Sequence, residues 1–254
     1  IAKQAEKKVV LKNRDIILDI ASNDGTLLKK YKNSKVIKFG IDPTIKKFKK
    51  YYPKNYLKFP GFFEKKIYNK ITNYKKSKII TSIAVFYDLQ NPVKFIKDIK
   101  SILDKKGIWV LEQSYFPLLI KNNAYDSICH EHLSYFMHRQ LNLLLKKEKL
   151  KIIDVSFNNM NGGSVRFFIS HEDSEYKVNG KNLSKVLKIE NKIFSNFNKT
   201  KNQFRKNIIN SKKKLIYLIN KLNKKNKIIH IYGASTKGNV IIQFCGLTKK
   251  MIPY

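Results

Sequence analysis

Four side chains that can do chemistry are consecutive in residues 126–136, which read DSICHEHLSYF: Cys129, His130, Glu131 and His132. An imidazole beside a carboxylate suits general-base catalysis, because the ordinary pKa of histidine lies near neutral pH. Cysteine and histidine also bind zinc, but the usual zinc sites keep two or more residues between paired ligands. No second pair is present in the sequence, so we expect no metal here. Capping or core polar roles are the other alternative to catalysis.

A turn with acidic residues, DIASNDG at residues 19–25, follows the apolar run Ile16–Ile20. Such a run predicts a strand buried on both faces, and doubly wound folds hold nucleotides at the first turn after it. The turn has one glycine where a dinucleotide needs several, so NAD and FAD are disfavoured. S-adenosylmethionine (SAM) has no phosphate and a cationic sulfonium, and an acid ending the next strand can accept its ribose hydroxyls. The expected cofactor-binding residues are Asp19, Ala21, Ser22, Asn23, Asp24, Gly25 and Asp42.

These residues need a scaffold, and the sequence predicts an α/β fold. Strands are predicted at residues 36–41, in SKIITSIAVFYDL before a loop at Tyr87 and Asp88, and in IWVLEQSY. Apolar spacing in NPVKFIKDIKSILDKKG predicts an amphipathic helix that Gly107 ends. Strands alternating with helices indicate a doubly wound parallel sheet covered on both faces. A helix and two closely spaced strands follow, which predicts an antiparallel edge.

The sequence after residue 170 predicts further units. A polar linker precedes an apolar stripe from Leu183 to Leu222, which indicates a long helix or a helical pair. A coiled coil is disfavoured because Asn and Lys interrupt the seam. KIIHIYGASTKGNVIIQF then predicts a strand, a turn and a helix, with His230 in the core. We expect a SAM-binding domain at 1–170, a linker and long helical segment at 171–226, and the start of a second nucleotide-binding βα domain at 227–254.

Two turns are candidates for binding an anion. Backbone N–H groups of NGGS, residues 161–164, can face a phosphate, and Arg166 follows either as a diphosphate clamp or as an edge-strand side chain in water. In YGASTKGN, residues 232–239, polar residues precede a predicted helix whose amino terminus favours an anion. The expected substrate-binding residues are Gly162, Gly163, Ser164, Arg166, Tyr232, Ser235, Lys237 and Asn239.

The composition of the 254 residues indicates a folded protein with a lysine-rich surface. Hydrophobic residues make up 43%, enough for a buried core, and no apolar run is long enough to cross a membrane. The net charge of +35 suggests nucleic acid as a partner, but only four of the 53 basic residues are arginine, the usual reader of phosphates and bases. Two cysteines exclude a disulfide scaffold and fit a reducing, cytoplasmic setting.

Six motifs occur in order: LDIASNDGTLL, GIDP, PGFF, AYDSICHEHLSYF, NGGSVR and YGASTKGN. Together they resemble the SAM-dependent C-methyltransferases that act on nucleotide-linked keto-deoxysugars in bacteria, from about Asp15 to the end of the chain. The resemblance implies a class I methyltransferase sheet followed by a Rossmann-like substrate domain, and it adds Pro43 and Phe63 to the cofactor site. Family members also carry an N-terminal zinc-binding segment. Since that segment and most of the last βα region are not in this sequence, we expect a fragment that is truncated at both ends.

The resemblance also implies a mechanism. A base removes the proton beside a sugar ketone, and the enolate carbon then attacks the SAM methyl group in line. The base maps to His132, and Glu131 would orient it or help stabilise the enolate. Cys129 stands where the family usually has tyrosine and Asp88 where it often has histidine, which indicates a subgroup with a different sugar.

Other functions remain open at this point. A nucleic-acid methyltransferase of the common kind carries a D/N-P-P-Y/F element, and this chain reads AVFYDL there. A basic nucleic-acid-binding protein and a catalytically inactive scaffold are further alternatives. Either Tyr87 or Tyr135 is a candidate to supply the hydroxyl that Cys129 lacks. We expect a nucleotide-diphosphate sugar as the partner, and neither a specific nucleic acid nor a membrane.

Overall fold

The apolar run Ile16–Ile20 forms a central strand with all five residues buried, as the sequence predicts. It belongs to a seven-stranded sheet in a computed structural model that describes residues 1–233 and 235–253. The strands are β1 (Ile16–Ile20), β2 (Ile37–Ile41), β3 (Leu57–Phe59), β4 (Ser77–Ile83), β5 (Leu103–Ser114), β6 (Leu150–Asn158) and β7 (Ser164–His171). The α-helices are α1 (Ala2–Lys8), α2 (Thr26–Lys29), α3 (Ile45–Phe48), α4 (Lys65–Thr72), α5 (Pro92–Ile102), α6 (Phe116–Lys121), α7 (His138–Lys147), α8 (Gly180–Phe194), α9 (Phe197–Lys224) and α10 (Thr236–Cys245).

The strand order is β3-β2-β1-β4-β5-β7-β6. Strands β1 to β5 run parallel, and β7 lies antiparallel to both β5 and β6. The predicted doubly wound sheet with antiparallel strands at one side is therefore confirmed. The order reverses between β1 and β4, and open α/β sheets bind ligands at the carboxyl ends of the strands beside such a reversal.

Hydrophobic clusters cover both faces of the sheet, because alternate residues of each strand point to opposite sides. On one face, Trp109 and Leu111 of β5 pack with residues of α5, α7 and α8. On the other face, Ile108 and Val110 pack in a cluster that includes Ala5 of α1. The carboxyl ends of the central strands are thus fixed by a core on each side.

Gly107 does not end a helix, contrary to the prediction. Helix α5 ends at Ile102, and Gly107 lies within β5 where the pairing with β4 shifts register. A Cβ at this position would stand 2.9 Å from the Lys78 carbonyl oxygen. The glycine is therefore explained by close approach of two backbones in the sheet rather than by a helix terminus.

Of the two alternatives predicted from Leu183 to Leu222, a long helix or a helical pair, the structure shows the pair, α8 and α9. The strand predicted around His230 is wrong, because residues 227–233 form no strand. Ile228 and Ile231 in this segment are exposed rather than packed in a core. Ala234 of the following turn lies outside the described residues. None of the described helices is both long enough and apolar enough to span a membrane.

Candidate active site

The turn between β1 and α2 takes a left-handed backbone conformation at alternate residues. The φ angles of Ala21, Asn23 and Gly25 are 60°, 49° and 73°. For a residue other than glycine this conformation costs on the order of 1 kcal/mol. Two strained residues in one turn at the carboxyl edge of the sheet are typical of a binding site, where the surrounding structure holds the backbone in place.

Tyr52, which sequence reasoning missed, packs against this turn. Its hydroxyl lies 2.7 Å from Ser22 Oγ and donates to the Asn23 carbonyl oxygen at 2.9 Å. A Cβ on Gly25 would stand 2.8 Å from the Tyr52 ring, so the turn requires glycine at this point. Burial raises the pKa of Tyr52 to about 12, which keeps the hydroxyl protonated as a donor.

Asp19 is buried one residue before the end of β1. Its Oδ1 accepts a hydrogen bond from Thr81 Oγ1 of β4 at 2.5 Å. Burial raises the pKa of Asp19 to about 7, the Thr81 hydrogen bond opposes the rise, and the Asp42 charge adds to it. A cationic group bound nearby would favour the ionised form of Asp19.

Asp42 follows β2, as predicted, and only 8% of it is exposed. Its Oδ1 accepts from the Thr44 backbone N–H and from Thr44 Oγ1, both at 2.6 Å. Its Oδ2 accepts from the Asn23 N–H at 3.1 Å and has capacity for a second donor. The structure thus brings the first turn and the end of β2 together around one carboxylate.

The other predicted cofactor residues have more varied surroundings. Asp24 accepts from the Thr26 N–H and hydroxyl, and these hydrogen bonds lower the pKa of its carboxyl group. Pro43 is exposed beside Asp42. Phe63 is half-buried and meets Phe95 of α5 edge to face, with ring centroids 5.6 Å apart.

SAM fits the groups at this edge of the sheet. Ribose hydroxyls need an acceptor, which Asp42 Oδ2 supplies. The cationic end of SAM needs negative charge, which Asp42 supplies and which Asp19 would add once the bound cation favours its ionised form. The negative charges of a pyrophosphate would instead be repelled by the carboxyl groups of Asp19 and Asp42 when these are ionised. The donor and acceptor set therefore agrees with the cofactor that the sequence predicts.

His132 lies in an irregular segment between α6 and α7, so Cys129 to His132 do not form a strand. Its Nδ1 is 2.7 Å from the carbonyl oxygen of Ser127. A carbonyl can only accept, so neutral His132 carries its proton on Nδ1 and leaves the Nε2 lone pair available. The Tyr87 ring lies 4.5 Å from the imidazole, centroid to centroid. Tyr135 also donates to the Ser127 carbonyl oxygen, at 3.2 Å.

Asp88 and Cys129 belong to the same cluster. Loss of water contact raises the pKa of Asp88 to about 6; the His132 charge opposes the rise, and the Glu131 charge adds to it. Burial raises the pKa of Tyr87 to about 12, with smaller contributions from Asp88 and Cys129. Cys129 is half-buried. The structure therefore brings the predicted catalytic residues together at the loop that follows β4.

The first residues of α10 reach this cluster. Thr236 Oγ1 donates to Glu131 Oε2 at 2.9 Å, and Lys237 Nζ donates to Asn161 Oδ1 at 3.4 Å. Ser235 caps α10 by accepting from the Gly238 N–H. Thus the turn around Asn161 and the start of α10, two predicted substrate regions, lie beside the catalytic segment.

Several predicted substrate-binding residues make hydrogen bonds within the protein. The Gly162 carbonyl oxygen accepts from Asn122 Nδ2 at 2.7 Å, and the Gly163 N–H donates to the Met160 carbonyl oxygen at 2.9 Å. Ser164 is buried and its hydroxyl also donates to the Met160 carbonyl oxygen. Tyr232 and Asn239 are exposed.

Arg166 does not join the other substrate residues. Its guanidinium pairs with Glu112 of β5 at 2.5 Å and contacts Gln4 of α1. Strand alternation explains this placement, because Arg166 and Phe168 share the face of β7 that packs toward α1. The alternative of a water-facing side chain on an edge strand is also wrong, since β7 lies between β5 and β6 and the side chain of Arg166 is only 12% exposed.

Among the described residues, no cluster of three or more His, Cys, Asp or Glu side chains is arranged to hold a metal ion. His130, the outermost member of the possible zinc set, is exposed to solvent.

Four residues that hold the predicted site residues in place were missed by sequence reasoning: Tyr52, Thr81, Ser127 and Thr236. The Ser127 contribution comes from its backbone carbonyl, which carries no signal in the sequence. Thr81 acts through strand register, where it stands opposite Asp19. Thr236 lies inside the YGASTKGN motif, so its position next to Lys237 was the one signal that could have drawn attention to it.

Comparisons with known proteins identify the family of this chain. A family model described as a methyltransferase domain matches residues 2–155, and one described as a C-methyltransferase C-terminal domain matches residues 159–254. The C-methyltransferase NovU of Streptomyces niveus is 23% identical over 173 residues, which are 68% of this chain and 41% of NovU. The chain thus spans about two fifths of the length of that relative.

Solved structures share the fold at low identity. PKMT2 from Rickettsia typhi superposes with a TM-score of 0.53 at 12% identity, over 69% of this chain and 53% of that chain. LepI in complex with SAM superposes with a TM-score of 0.52 at 14% identity, over 66% of this chain and 46% of that chain. The sheet and its covering helices therefore share their fold with these two solved structures.

Proposed function

The chain belongs to the SAM-dependent methyltransferase family, and we propose that it transfers the SAM methyl group to a carbon atom of a nucleotide-linked keto-deoxysugar. The family model over residues 2–155 and the C-methyltransferase model over residues 159–254 support the methyl transfer. The sugar and the base-assisted mechanism are proposals. A reducing, cytoplasmic setting suits the two free thiols, Cys129 and Cys245.

The hydrogen bond between His132 Nδ1 and the Ser127 carbonyl oxygen is the observation that carries the mechanism. It fixes the imidazole tautomer and directs the available lone pair to Nε2. That nitrogen is suited to remove the proton from the carbon beside a ketone, which gives an enolate. The enolate carbon would then attack the methyl group that bound SAM would supply. The methyl–sulfur bond would break with S-adenosylhomocysteine as the leaving group, and His132 would retain the proton.

Several neighbouring groups support a base in this position. Asp88, with its pKa raised to about 6, would be mainly ionised at neutral pH and would stabilise protonated His132. The Tyr87 hydroxyl stays protonated because its pKa is raised to about 12, and it can donate to a developing enolate oxygen. This assigns to Tyr87 the hydroxyl that Cys129 lacks.

SAM, when bound, supplies an electrophilic methyl group. Asp42 would accept hydrogen bonds from its ribose, and the turn from Asp19 to Gly25 would hold its amino-acid end. Lys237 at the start of α10 would contribute positive charge to a diphosphate on the side of the site where Glu131 lies. Arg166 is left out of this assignment because Glu112 occupies its guanidinium.

The test uses the full-length protein that contains this chain. Calorimetric titration with S-adenosylhomocysteine measures cofactor binding, and mass spectrometry after addition of SAM and a dTDP-4-keto-deoxysugar measures the gain of one methyl group. Deuterium exchange at the carbon next to the ketone, without SAM, measures proton removal alone. Binding and proton exchange followed by methylation are expected. Methylation of nucleic acid instead of the sugar would overturn the proposal.

A matched pair of variants tests the base. We expect His132→Asn to bind S-adenosylhomocysteine normally and to lower methyl transfer about a hundredfold or more, as loss of a general base does. His130→Asn makes the same change two residues away at an exposed side chain and should keep near-normal turnover. Near-normal turnover in His132→Asn would exclude His132 as the base.

A further inference from the structure

Thr236, the first residue of α10, contacts the catalytic segment across 105 positions of sequence. Its hydroxyl donates to Glu131 Oε2 at 2.9 Å. Among the described residues, Thr236 is the hydrogen-bond donor to this carboxylate. A hydroxyl that donates to a carboxylate forms a hydrogen bond of the stronger, charge-assisted kind.

Helix α10 is anchored independently of this contact. The Phe244 ring lies 5.1 Å from the Tyr125 ring, centroid to centroid, and the Phe244 carbonyl oxygen accepts from Lys212 Nζ of α9 at 2.7 Å. At the other end of the helix, Lys237 Nζ reaches Asn161 Oδ1. The contacts of the helix therefore fix the position of Thr236. The hydrogen bond from Thr236 in turn restrains the side chain of Glu131.

Glu131 needs such a partner because of where it lies. It is an exposed residue on an irregular segment, and a long, exposed side chain samples several rotamers unless a contact selects one. Its neighbour His132 has a fixed orientation through Ser127, whereas Glu131 is held by a residue of the C-terminal helix. The electrostatic influence of Glu131 on Asp88 indicates that its position also affects the cluster around the base.

We propose that Thr236 is a positioning residue that holds Glu131 in its working orientation beside His132, so that helix α10 adjusts the geometry of the catalytic segment. This inference rests on the proposed function. The start of α10 would then have two roles. It would bind the diphosphate of the substrate, and through Thr236 it would orient the Glu131 carboxylate beside His132. A substrate seated on α10 would then complete the catalytic arrangement.

Thr236→Val tests the hydroxyl at nearly constant shape, and Thr236→Ser is the matched control that restores it. For Thr236→Val we expect kcat to fall about five- to tenfold, the effect of one charge-assisted hydrogen bond. KM for the sugar, the affinity for S-adenosylhomocysteine and the melting temperature should stay near the wild-type values. Thr236→Ser should keep kcat within about twofold of wild type.

A double-mutant cycle with Glu131→Gln separates positioning from simple packing. In the Glu131→Gln background, Thr236→Val should lower kcat much less than in the wild-type background, because the charge that the hydroxyl orients is gone. Equal effects in the two backgrounds would overturn the inference. So would a normal kcat in Thr236→Val, or a Thr236→Ser variant as slow as Thr236→Val. Those three results leave the proposed function intact, whereas a wild-type protein without methyl transfer overturns both.

Discussion

The strands of the sheet and the long helix α9 bury very different shares of their residues. Every residue of β1 is buried, whereas Ile219 is the one buried residue among the 28 of α9 as the structure describes it. Several apolar side chains of α9 remain largely in water: Phe197 of the predicted stripe is 48% exposed, and Tyr217 and Leu218 outside it are 69% and 50% exposed. An apolar side chain therefore contributes differently to stability in the two regions, because β1 buries it and most of α9 does not.

Hydrophobic burial stabilises a fold roughly in proportion to the apolar area removed from water. The sheet and its covering helices gain this term on both faces. Polar contacts help to hold α9 against α10 and against the residues that follow it. Lys212 Nζ donates to the Phe244 carbonyl oxygen of α10, and Asn223 Nδ2 donates to the carbonyl oxygen of Met251, beyond the end of α10. We infer that the sheet carries the stability, while the C-terminal helices are positioned by a small number of directed contacts.

Helix α8 belongs with the sheet in this comparison, although it precedes α9 in the helical pair. Its Val186 lies in the same cluster as Trp109. Its Glu190 is fully buried and accepts from the Tyr115 hydroxyl and from the His138 N–H, each at 2.6 Å. The boundary between the two regions thus lies between α8 and α9 rather than at the polar linker after β7.

The largest loss of stability is expected for a substitution at the centre of the sheet. Leu111 of β5 is completely buried, so Leu111→Ala should lower the free energy of unfolding by about 3–5 kcal/mol through lost burial and a cavity. Urea denaturation followed by far-UV circular dichroism measures this change. A loss below about 1 kcal/mol would mean that the core does not carry the stability assigned to it.

The second-largest change in stability is expected when the pH changes, because the buried carboxyl group of Asp19 gains or loses a proton. Its pKa of about 7 lies above the ordinary value, so the folded protein holds the proton more tightly than the unfolded chain. The stabilisation from this proton is complete below pH 4 and is lost as the pH rises to about 7. Between pH 5 and pH 8 we expect on the order of 2–3 kcal/mol of the unfolding free energy to be lost.

Asp19→Asn isolates that loss, since other groups titrate in the same range. The difference in unfolding free energy between wild type and Asp19→Asn should move against wild type as the pH rises from 5 to 8. Denaturation curves of both proteins across this range give the difference directly. A difference that does not depend on pH would show that Asp19 is ionised in the folded protein throughout.

Much of the fold could be predicted because its signals are local. The run Ile16–Ile20 has the length and apolar character of a buried strand, and β1 has the predicted bounds. Around His230 the same type of apolar run misled, because a strand needs a neighbouring strand for its backbone hydrogen bonds and residues 227–233 have none in the described structure. Gly107 misled for a related reason, since its close approach to Lys78 depends on a register that the sequence does not specify.

The candidate site could be predicted to the level of residue type, but not of partner. The sequence placed Asp19 at the end of one strand and Asp42 just after the next, and β1 and β2 bring both to the carboxyl edge of the sheet. The carbonyl oxygen of Ser127 and the ring of Tyr52 act through tertiary contacts that leave no pattern in the sequence. Arg166 was wrongly placed because the side to which it points depends on β7 lying between two other strands.

The smallest effect is expected on α9, where the substitution used in β5 can be repeated. Leu218→Ala removes the same atoms as Leu111→Ala from a side chain that is half exposed, and alanine is an equally good helix former. The unfolding free energy should therefore change by no more than about 0.5 kcal/mol. If Leu218→Ala instead costs more than about 1.5 kcal/mol, and the loss depends on protein concentration, then a partner covers this face of α9 in solution. The contrast between the two regions would then hold for the isolated chain only. The exposed apolar side chains of α9 would add to the stability once the partner buried them.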